Sequence, residues 1–358
     1  MKHFLCCFAA LLLCLAPLCA RAEDDVLLLS MIGDCSIGES YQYRGQKGTY
    51  SKVVEEKGTD WPFASIGHYL LEDDLTIANL EVVFTSRTKH QNKNMKLIGD
   101  PKNVQVLVSG GVDVVNTANN HVFDFYKSGY LDTVETLEGA GIGHFGSVYP
   151  NNKSSGFDVL CVREVKGVRI GMLGFSYPQQ SDLKLIYERI DTLRNEENCD
   201  LVIVSLHWGK EVKASPQSWQ YEYARKIIDA GADVIYGHHP HVLQQVHVYN
   251  GKPILYSTGN FTFGSIKSSI DTDTGIFQLR YDLSGDTPTL AGLTVIPCRT
   301  QIDGNKQPYE LTDEAQRETM LRKLLFKKTT TGMENLPEGF AKTGCVYFDE
   351  NGAMRAEE

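Results

Sequence analysis

The sequence predicts an α/β protein in which helices cover a mixed, mostly parallel β-sheet. Short apolar runs of four to six residues alternate along the chain with longer amphipathic segments. Glycine follows the predicted helices, and the apolar runs end in polar residues. Alternation of this kind is typical of parallel strands connected by helices that pack on the faces of the sheet.

The individual elements follow from the spacing of their apolar residues. Uninterrupted apolar runs indicate buried strands, and spacing near 3.6 residues indicates helices. Strands with their following loops are predicted at 26–34, 75–81, 112–121, 142–146, 168–176, 201–209, 233–242 and 252–264. Helices are predicted at 63–74, 101–111, 129–141 and 219–232. Segments 274–283 and 290–298 are predicted to form a hairpin, which makes the sheet mixed.

The chain changes character from about residue 301. Residues 309–328 are predicted to form an amphipathic helix with its acids early and its bases late, as the helix dipole prefers. A loop at 329–339 and a strand with a turn at 344–352 follow. We therefore expect a main domain at 23–300 and a small C-terminal appendage at 301–358 that docks on it.

Residues 1–22 are typical of a secretory signal sequence. Lys2 precedes an apolar run from Phe4 to Leu18, and small residues stand at Ala20 and Ala22. The run has about 15 residues, against the ~20 that span a bilayer. We expect cleavage after Ala22 and an exported, extracytoplasmic protein of the cell envelope or the medium. The alternative is an uncleaved signal that serves as an anchor.

Composition restricts the partners and the use of cysteine. The formal net charge of −10 argues against nucleic acid as a partner. Outside the signal the odd number of cysteines indicates no disulfide framework, although one bridge is compatible with it, and the absence of a C-x-x-C pair argues against a structural zinc site. These cysteines are Cys35, Cys161, Cys199, Cys298 and Cys345.

The predicted strands end in side chains that bind metals or catalyse reactions. They are Asp34, Asn79, Glu81, Asn119, Asn120, His121, His207, Glu211, His238, His239, His241 and Asn260. Because ligands bind at the carboxyl ends of the strands in open α/β sheets, we expect these residues to converge in one crevice. Taken singly, Asp34 could cap a helix and His207 could be a packed core histidine. Their shared position at strand ends favours a site.

The chemistry of this set predicts metal ligands. Carboxylates, an amide oxygen and imidazoles together suit Zn, Mn or Fe and do not suit calcium. Two carboxylates and at least three imidazoles exceed the needs of one tetrahedral ion, so a two-metal site with one bridging acid is predicted. We expect Cys35, beside Asp34, to be a buried spectator.

Seven short motifs resemble the capsule synthesis protein CapA/PgsA family, which is linked with poly-γ-glutamate biosynthesis. They cover residues from about 26 to 265. The motifs are "GD" at 33–34, "ANLE" at 78–81, "ANNH" at 118–121 followed by Asp124, "HWGKE" at 207–211, "AGAD" at 230–233, "GHHPHV" at 237–242 and "YSTGNF" at 256–261. The resemblance implies a four-layer α/β sandwich of the calcineurin-like metallophosphoesterase type, with a dinuclear metal centre between its sheets.

The resemblance also implies roles for single residues. His121 would stabilise the leaving group, and Glu81 stands at the position of the bridging acid. Two divalent ions (Mn, Fe or Zn) would be held by Asp34, Glu81, Asn120, His207, His239 and His241. The substrate pocket would be lined by Trp208, Glu211, His238 and Asn260.

The sequence departs from the wider superfamily at three places. An Asp-x-His motif is replaced by Asp34, Cys35 and Ser36, so one imidazole ligand of the first metal is missing. The bridging acid is a glutamate and not an aspartate. An arginine that many family members carry after the first aspartate is absent from residues 35–40. These departures argue against ordinary phosphodiester hydrolysis and do not exclude a metal.

Two functions remain open on the sequence. One is a metal-dependent hydrolase of the cell envelope that acts on a phosphoester or an envelope polymer. The other is a non-catalytic scaffolding or polymer-binding component of a capsule synthesis complex. The expected partners are an anionic polymer or a phosphoester substrate, together with membrane-bound capsule synthesis proteins.

Overall fold

The computed structural model describes residues 25–148, 157–265, 271–302, 304, 306–326, 332–349 and 351–356. The predicted signal sequence at 1–22 lies outside the described residues. Within these ranges, no helix has both the length and the apolar character needed to cross a membrane.

The chain alternates between strands and helices over most of its length. The strands are β1 (Val26–Ser36), β2 (Glu39–Ser40), β3 (Leu75–Leu80), β4 (Val83–Phe84), β5 (Leu97–Gly99), β6 (Val114–Asn116), β7 (Gly143–Val148), β8 (Phe157–Val159), β9 (Cys161–Val165), β10 (Val168–Ser176), β11 (Leu201–His207), β12 (Val234–His238), β13 (Val246–Tyr249), β14 (Lys252–Leu255), β15 (Asn260–Phe263), β16 (Asp273–Asp282), β17 (Thr289–Ile302), β18 (Gln307–Glu310), β19 (Glu334–Asn335), β20 (Cys345–Phe348) and β21 (Met354–Ala356). The α-helices are α1 (Tyr50–Lys57), α2 (Gly67–Leu71), α3 (Val104–Ser109), α4 (Tyr126–Gly139), α5 (Leu183–Asp191), α6 (Ser218–Asp229), α7 (Glu314–Leu321) and α8 (Phe340–Thr343).

The strands form two large mixed sheets that β7 joins. In the first sheet β6, β3 and β1 are parallel, and β16, β17, β20 and β21 extend it antiparallel. In the second sheet β10, β11, β12 and β14 are parallel, with β9 on one side and β13 and β19 on the other antiparallel. Strand β7 pairs with both β6 and β10. The predicted hairpin is the antiparallel pair β16–β17.

Most buried apolar side chains form three clusters, one between the two sheets and one on each outer face beneath the helices. Leu29 of β1 and Ile203 of β11 belong to the cluster between the two sheets. On the other face of β1, Ile32 joins the side chains of α1, α2 and α3. On the other face of β11, Val202 joins those of α5 and α6. Both faces of the central strands are therefore buried, which explains their continuous apolar runs. The predicted four-layer α/β sandwich is confirmed.

The predicted helix at 309–328 is shorter in the structure. Tyr309 and Glu310 belong to β18, because they pair with Arg299 and Cys298 of β17. The helix α7 begins only after Asp313, whose side chain accepts a hydrogen bond from the backbone N–H of Gln316 at 2.9 Å. Antiparallel pairing with the preceding strand β17 has overridden the local helical pattern.

The segment after residue 301 contributes to both sheets. Strand β19 pairs with β13 in the second sheet, and β20 pairs with β17 in the first. Leu321, Leu324 and Phe340 are part of the cluster between the sheets. Strand β17 itself runs across the predicted boundary at residue 300. The division into a main domain and an appendage stays a prediction, and its test is whether the main domain folds without these side chains.

Replacement of Phe340 by alanine tests the contribution of this segment. The side chain is fully buried, so Phe340→Ala is expected to lower the free energy of unfolding by about 3–5 kcal/mol. Tyr347→Ala, in the same segment, is the control, because this side chain is 47% exposed and its loss should change stability by less than about 1 kcal/mol. Urea unfolding measures both. A small effect of Phe340→Ala would instead support a loosely docked appendage.

Candidate metal centre

The carboxyl ends of the central strands of both sheets meet at one edge of the sandwich. Asp34 of β1 lies in register with Asn79 of β3 and with Asn260 of β15. In the second sheet His207, the last residue of β11, lies beside His238, the last residue of β12. The structure therefore brings together side chains that are separated by more than 200 positions along the chain.

The six predicted metal ligands lie together at this edge. Ligand atoms of Asp34, Glu81 and His207 lie within 4.8 Å of one another, and His239 and His241 form a similar group with Glu211. The remaining predicted ligand, Asn120, places its Oδ1 atom 2.8 Å from His207 Nε2. Their roles as ligands stay a prediction.

Glu81 stands at the centre of the cluster. Its Oε1 atom lies 3.9 Å from His207 Nε2 and 3.8 Å from His241 Nε2. The side chain is fully buried, and neither carboxylate oxygen has a hydrogen-bond partner. Burial raises the pKa of the Glu81 carboxyl well above its usual range. An unpartnered buried carboxylate is costly, and a bound cation removes this cost, so the residues present fit a metal ion.

Asp34 is held in place by several donors. Asn79 Nδ2 donates to Asp34 Oδ1 at 2.8 Å, and Asn79 Oδ1 accepts from Asn116 Nδ2 at 3.0 Å. His238 Nδ1 lies 2.9 Å from the same Asp34 oxygen. Burial alone would raise the pKa of Asp34, but His238 and His241 hold it well below its usual range. Asp34 is therefore an oriented carboxylate.

The imidazoles differ in their protonation. Burial lowers the pKa of His207 well below its usual range and lowers that of His239 to about 4, so both rings are neutral and able to bind a metal. Burial also acts to lower the pKa of His241, but Glu81 and Asp34 outweigh it and raise this pKa to about 10. In the metal-free protein His241 is thus the cation that faces the two carboxylates.

His121 is oriented by a buried acid. Its Nδ1 atom lies 2.7 Å from Asp124 Oδ2, and its Nε2 atom lies 3.9 Å from Glu81 Oε1. Lys93 forms an ion pair with the other oxygen of Asp124 and donates a hydrogen bond to the backbone carbonyl of Asn120 at 3.0 Å. The Nε2 atom is therefore the ring nitrogen that can exchange a proton at the centre.

The loop that carries the histidines has an unusual backbone. His239 and His241 have φ values of 97° and 57°, and Tyr177, which follows β10, has 46°. Side chains with a Cβ atom rarely adopt positive φ, and such strain is concentrated at functional sites. The Tyr177 hydroxyl lies 2.8 Å from His239 Nε2. Beside it is a cavity of about 650 Å³ that Asn120 and Phe123 also line.

Close contact between backbones explains two glycines of the motifs. A Cβ atom at Gly33 would lie 2.2 Å from the carbonyl oxygen of Gly259, and one at Gly237 would lie 2.1 Å from that of Tyr256. Strands β1 and β12 therefore pack directly on the loop that precedes Asn260. These contacts fix the positions of Asp34 and of the histidine loop.

The residues predicted to line a substrate pocket have different positions. Asn260 Oδ1 lies 2.9 Å from His241 Nδ1 and orients that ring. His238 is fully buried beside Asp34 and so does not reach a substrate. Glu211 is exposed and lies beside His239 and His241. Trp208 is not brought to the cluster. Consecutive residues point to opposite faces, so its ring is buried in the outer layer, where Nε1 donates to the Tyr256 carbonyl at 3.0 Å.

Sequence reasoning missed Lys93 and Tyr177. Tyr177 directly follows the predicted strand at 168–176, so the rule that strand ends carry the site would have found it. Lys93 lies in a stretch with several bases and had no such signal. The predicted spectator role of Cys35 agrees with its position in the outer cluster under α1 to α3. All five described cysteines are free thiols.

The fold and the candidate site together define the class of this protein. It is a four-layer α/β sandwich with carboxylates, imidazoles and an amide gathered at the ends of its strands. The family model described as bacterial capsule synthesis protein PGA_cap matches residues 28–265. The chain belongs to this family of bacterial capsule synthesis proteins.

Two curated relatives and one solved structure show the extent of the similarity. The chain is 31% identical over 261 residues to the capsule biosynthesis protein CapA of Bacillus anthracis. The matched region covers 67% of this chain and 61% of that protein. It is 32% identical over 257 residues to the PGA biosynthesis protein CapA of Bacillus subtilis (strain 168), with 67% and 64% covered. These matches span less than two thirds of either relative. A novel phosphatase from Mycoplasma pneumoniae aligns with 76% of this chain and 93% of its own, with a TM-score of 0.47 and 14% identity.

Glu81→Gln tests whether the central carboxylate is there for a cation. The amide keeps the shape of the side chain and removes the charge. Without metal, the variant is expected to melt close to the wild-type temperature, because the desolvation cost of the carboxylate disappears together with its ion pair to His241. The rise in melting temperature that Mn²⁺ gives the wild type should be lost. A variant that Mn²⁺ still stabilises would contradict the central role of Glu81.

Proposed function

We propose that this protein is an exported component of capsular polymer synthesis, of the poly-γ-glutamate type, with a metal-dependent, phosphoesterase-like hydrolase site. The observation that carries the hydrolase proposal is the buried Glu81 carboxylate, whose oxygens accept no hydrogen bond although the imidazoles of His121, His207 and His241 surround it. Membership of the capsule synthesis family and the names of the relatives support the polymer. The signal sequence at 1–22 supports export, and the family role supports contact with membrane-bound capsule synthesis proteins.

The proposed centre holds two divalent ions of Mn, Fe or Zn. Glu81 would be the acid shared between the two ions, and Asp34, Asn120, His207, His239 and His241 would be the other residues that hold them. When bound, such ions lower the pKa of a water molecule toward neutrality and orient the scissile group. The mixed oxygen and nitrogen set suits these metals.

The protein's own side chains perform the proton transfer and the positioning. His121 would present Nε2 to the centre and, in its imidazolium form, give a proton to the leaving oxygen or hydrogen-bond to it, although burial lowers the pKa of this ring. Asp124 and Lys93 keep the ring in that orientation. The Tyr177 hydroxyl holds His239, and the adjoining cavity receives the part of the substrate that is not reacting.

Metal analysis of the purified protein tests this function. His239→Ala/His241→Ala removes two proposed ligands and is expected to lower the metal content of the protein. Turnover of a generic phosphodiester should fall with it by at least about 100-fold, since this chemistry depends on the ions. His68→Ala/His144→Ala, which removes two histidines outside the cluster, is the control and should retain both properties.

The two readouts separate the outcomes. Loss of metal and of turnover together supports the hydrolase. Metal without turnover in the wild type favours the second candidate function below. A well-folded wild type that binds no Mn²⁺, Fe²⁺ or Zn²⁺ would exclude the proposed centre.

The second candidate is a polymer-binding component of the synthesis complex, which a basic loop at the site favours. Residues 86–96 contain Arg87, Lys89, Lys93 and Lys96 and no acid, in a chain whose formal net charge is −10. The loop packs against the proposed centre, since Lys93 contacts Asp124 and the backbone N–H of Gln91 donates to the carbonyl of the same residue at 2.8 Å. A local positive field beside the site attracts an anionic chain despite the acidic surface.

Two lysines of this loop are available to a ligand. Lys89 is exposed and lies 5.8 Å from the ring centroid of Tyr126. Lys96 Nζ donates to the carbonyl oxygen of Lys93 at 2.9 Å. Within the described ranges neither lysine is paired with a carboxylate. Carboxylates of a poly-γ-glutamate chain are groups that both could bind.

Removal of the two charges tests the polymer contact. Lys89→Gln/Lys96→Gln is expected to weaken binding of fluorescently labelled poly-γ-glutamate about 2- to 30-fold, the range that two exposed ion pairs give. Lys184→Gln/Lys342→Gln makes the same charge change elsewhere and should have little effect. Fluorescence anisotropy at low and high salt measures both, and wild-type binding should weaken as salt rises. Equal losses in the two variants would argue against a polymer contact at this loop.

A further inference from the structure

We propose that Glu211 is itself a metal ligand and that, with His239 and His241, it forms an outer set that holds one of the two proposed ions. The inference rests on the metal centre of the proposed function and deepens it. It replaces the expectation that Glu211 lines the pocket as a substrate-binding residue.

The first support is the position of the carboxylate. One ligand atom each from Glu211, His239 and His241 lies within 4.8 Å of the others. The outer set adjoins the inner set of Asp34, Glu81 and His207, because His241 Nε2 lies 3.8 Å from Glu81 Oε1. Each group could therefore hold one ion, with the Glu81 carboxylate of the inner set facing the outer set as the shared acid.

The second support is that the backbone holds Glu211 at this place. After β11 the chain turns at Gly209, whose φ is 88°. The backbone N–H of Val212 then donates to the carbonyl oxygen of Pro240 at 2.8 Å. Pro240 lies between the two outer histidines, so this bond fixes the turn that carries Glu211 against the loop that carries them.

Side-chain bonds on the same two segments strengthen the connection. Gln244 Nε2 donates to the carbonyl oxygen of Lys213 at 2.7 Å, and Gln245 Nε2 donates to that of Ala214 at 3.0 Å. The turn after β11 and the chain after the histidine loop are therefore tied at three successive positions. A carboxylate on such a turn has a defined place relative to the imidazoles.

The third support is the charge of Glu211. Among the described residues it has neither an ion pair nor a hydrogen bond, although it is exposed and interacts electrostatically with the carboxylate of Glu81. A phosphoester or a polyglutamate chain is anionic, so a free carboxylate at the entrance would repel it. This repulsion disappears if Glu211 neutralises part of the charge of a bound ion.

The substitution also fits the chemistry of the departure after Asp34. The sequence lacks a neutral imidazole there, since Cys35 and Ser36 follow the aspartate and Cys35 is buried in the outer layer. A carboxylate at residue 211 would keep the total number of ligands of the two-ion centre, at the outer ion and not beside Asp34, and it adds a negative charge. Oxygen ligands suit harder ions such as Mn²⁺.

Metal titration of the full-length mature protein tests the inference. Metal-free wild type is titrated with Mn²⁺ in a calorimeter and its metal content is measured directly after equilibration. The wild type is expected to bind two ions per chain. Glu211→Gln should weaken one of these sites by more than about 100-fold and leave the other unchanged, since loss of a group that only supports a ligand costs about 10- to 100-fold.

Two controls separate a ligand from a general effect. Glu188→Gln removes an exposed carboxylate from α5, on the outer face of the second sheet, and should leave both sites unchanged. Because Glu211 is exposed, Glu211→Gln should melt at the wild-type temperature without metal. The electron paramagnetic resonance spectrum of bound Mn²⁺ gives a second readout, because coupling between two neighbouring ions should be lost in Glu211→Gln only.

The outcomes distinguish this inference from the proposed function. If Glu211→Gln binds Mn²⁺ with wild-type stoichiometry and affinity and keeps the spin coupling, Glu211 is not a ligand and the inference is overturned, while the centre remains. If the wild type binds no ion at all, the proposed metal-dependent function fails with it. Loss of one ion in Glu211→Gln alone supports the inference.

Discussion

The buried carboxylate of Glu81 is the group on which the arrangement of the site depends. It lies where the two sheets meet, and neither of its oxygens has a hydrogen-bond partner. A charge in this position is tolerated only if positive charge lies close to it. In the metal-free protein the nearby cation is His241, and the other histidines beside it, His207 and His239, are neutral. The site is therefore arranged around a positive charge that a metal ion can supply.

The sandwich provides the rigidity that this arrangement needs. Apolar layers lie on both faces of the central strands, and Gly33 and Gly237 allow strands and loop to approach within contact distance. The same packing holds His239 and His241 at positive φ, a conformation that isolated residues avoid. Local strain of this kind persists only when the surrounding structure determines it, and it is a common property of functional sites. The packing of the sandwich layers therefore holds the loop of His239 and His241 in a strained backbone conformation.

Electrostatics at the edge of the sandwich differ from those of the whole surface. The chain is acidic overall, yet the loop at 86–96 contains only basic charged residues and lies against His121 and Asp124. The proposed contact with an anionic polymer would meet repulsion from the average surface. The basic loop and the proposed cations would offset this repulsion locally, because screening in water limits the repulsion from distant acids to about a Debye length, ~8 Å at physiological salt.

The sequence by itself determined the layers and most of the site. Continuous apolar runs such as 168–176 and 201–207 require burial on both faces, and polar residues after such strands must meet at one edge. That was sufficient to bring Asp34, Glu81 and the histidines together. Only the tertiary structure decided which way a side chain points, as for Trp208 beside His207, and whether a segment pairs with a neighbouring strand, as Tyr309 does with β17. It also decided that Lys93 supports His121 and that Glu211 lies against the histidine loop. Such contacts join residues far apart in the chain, and no local pattern encodes them.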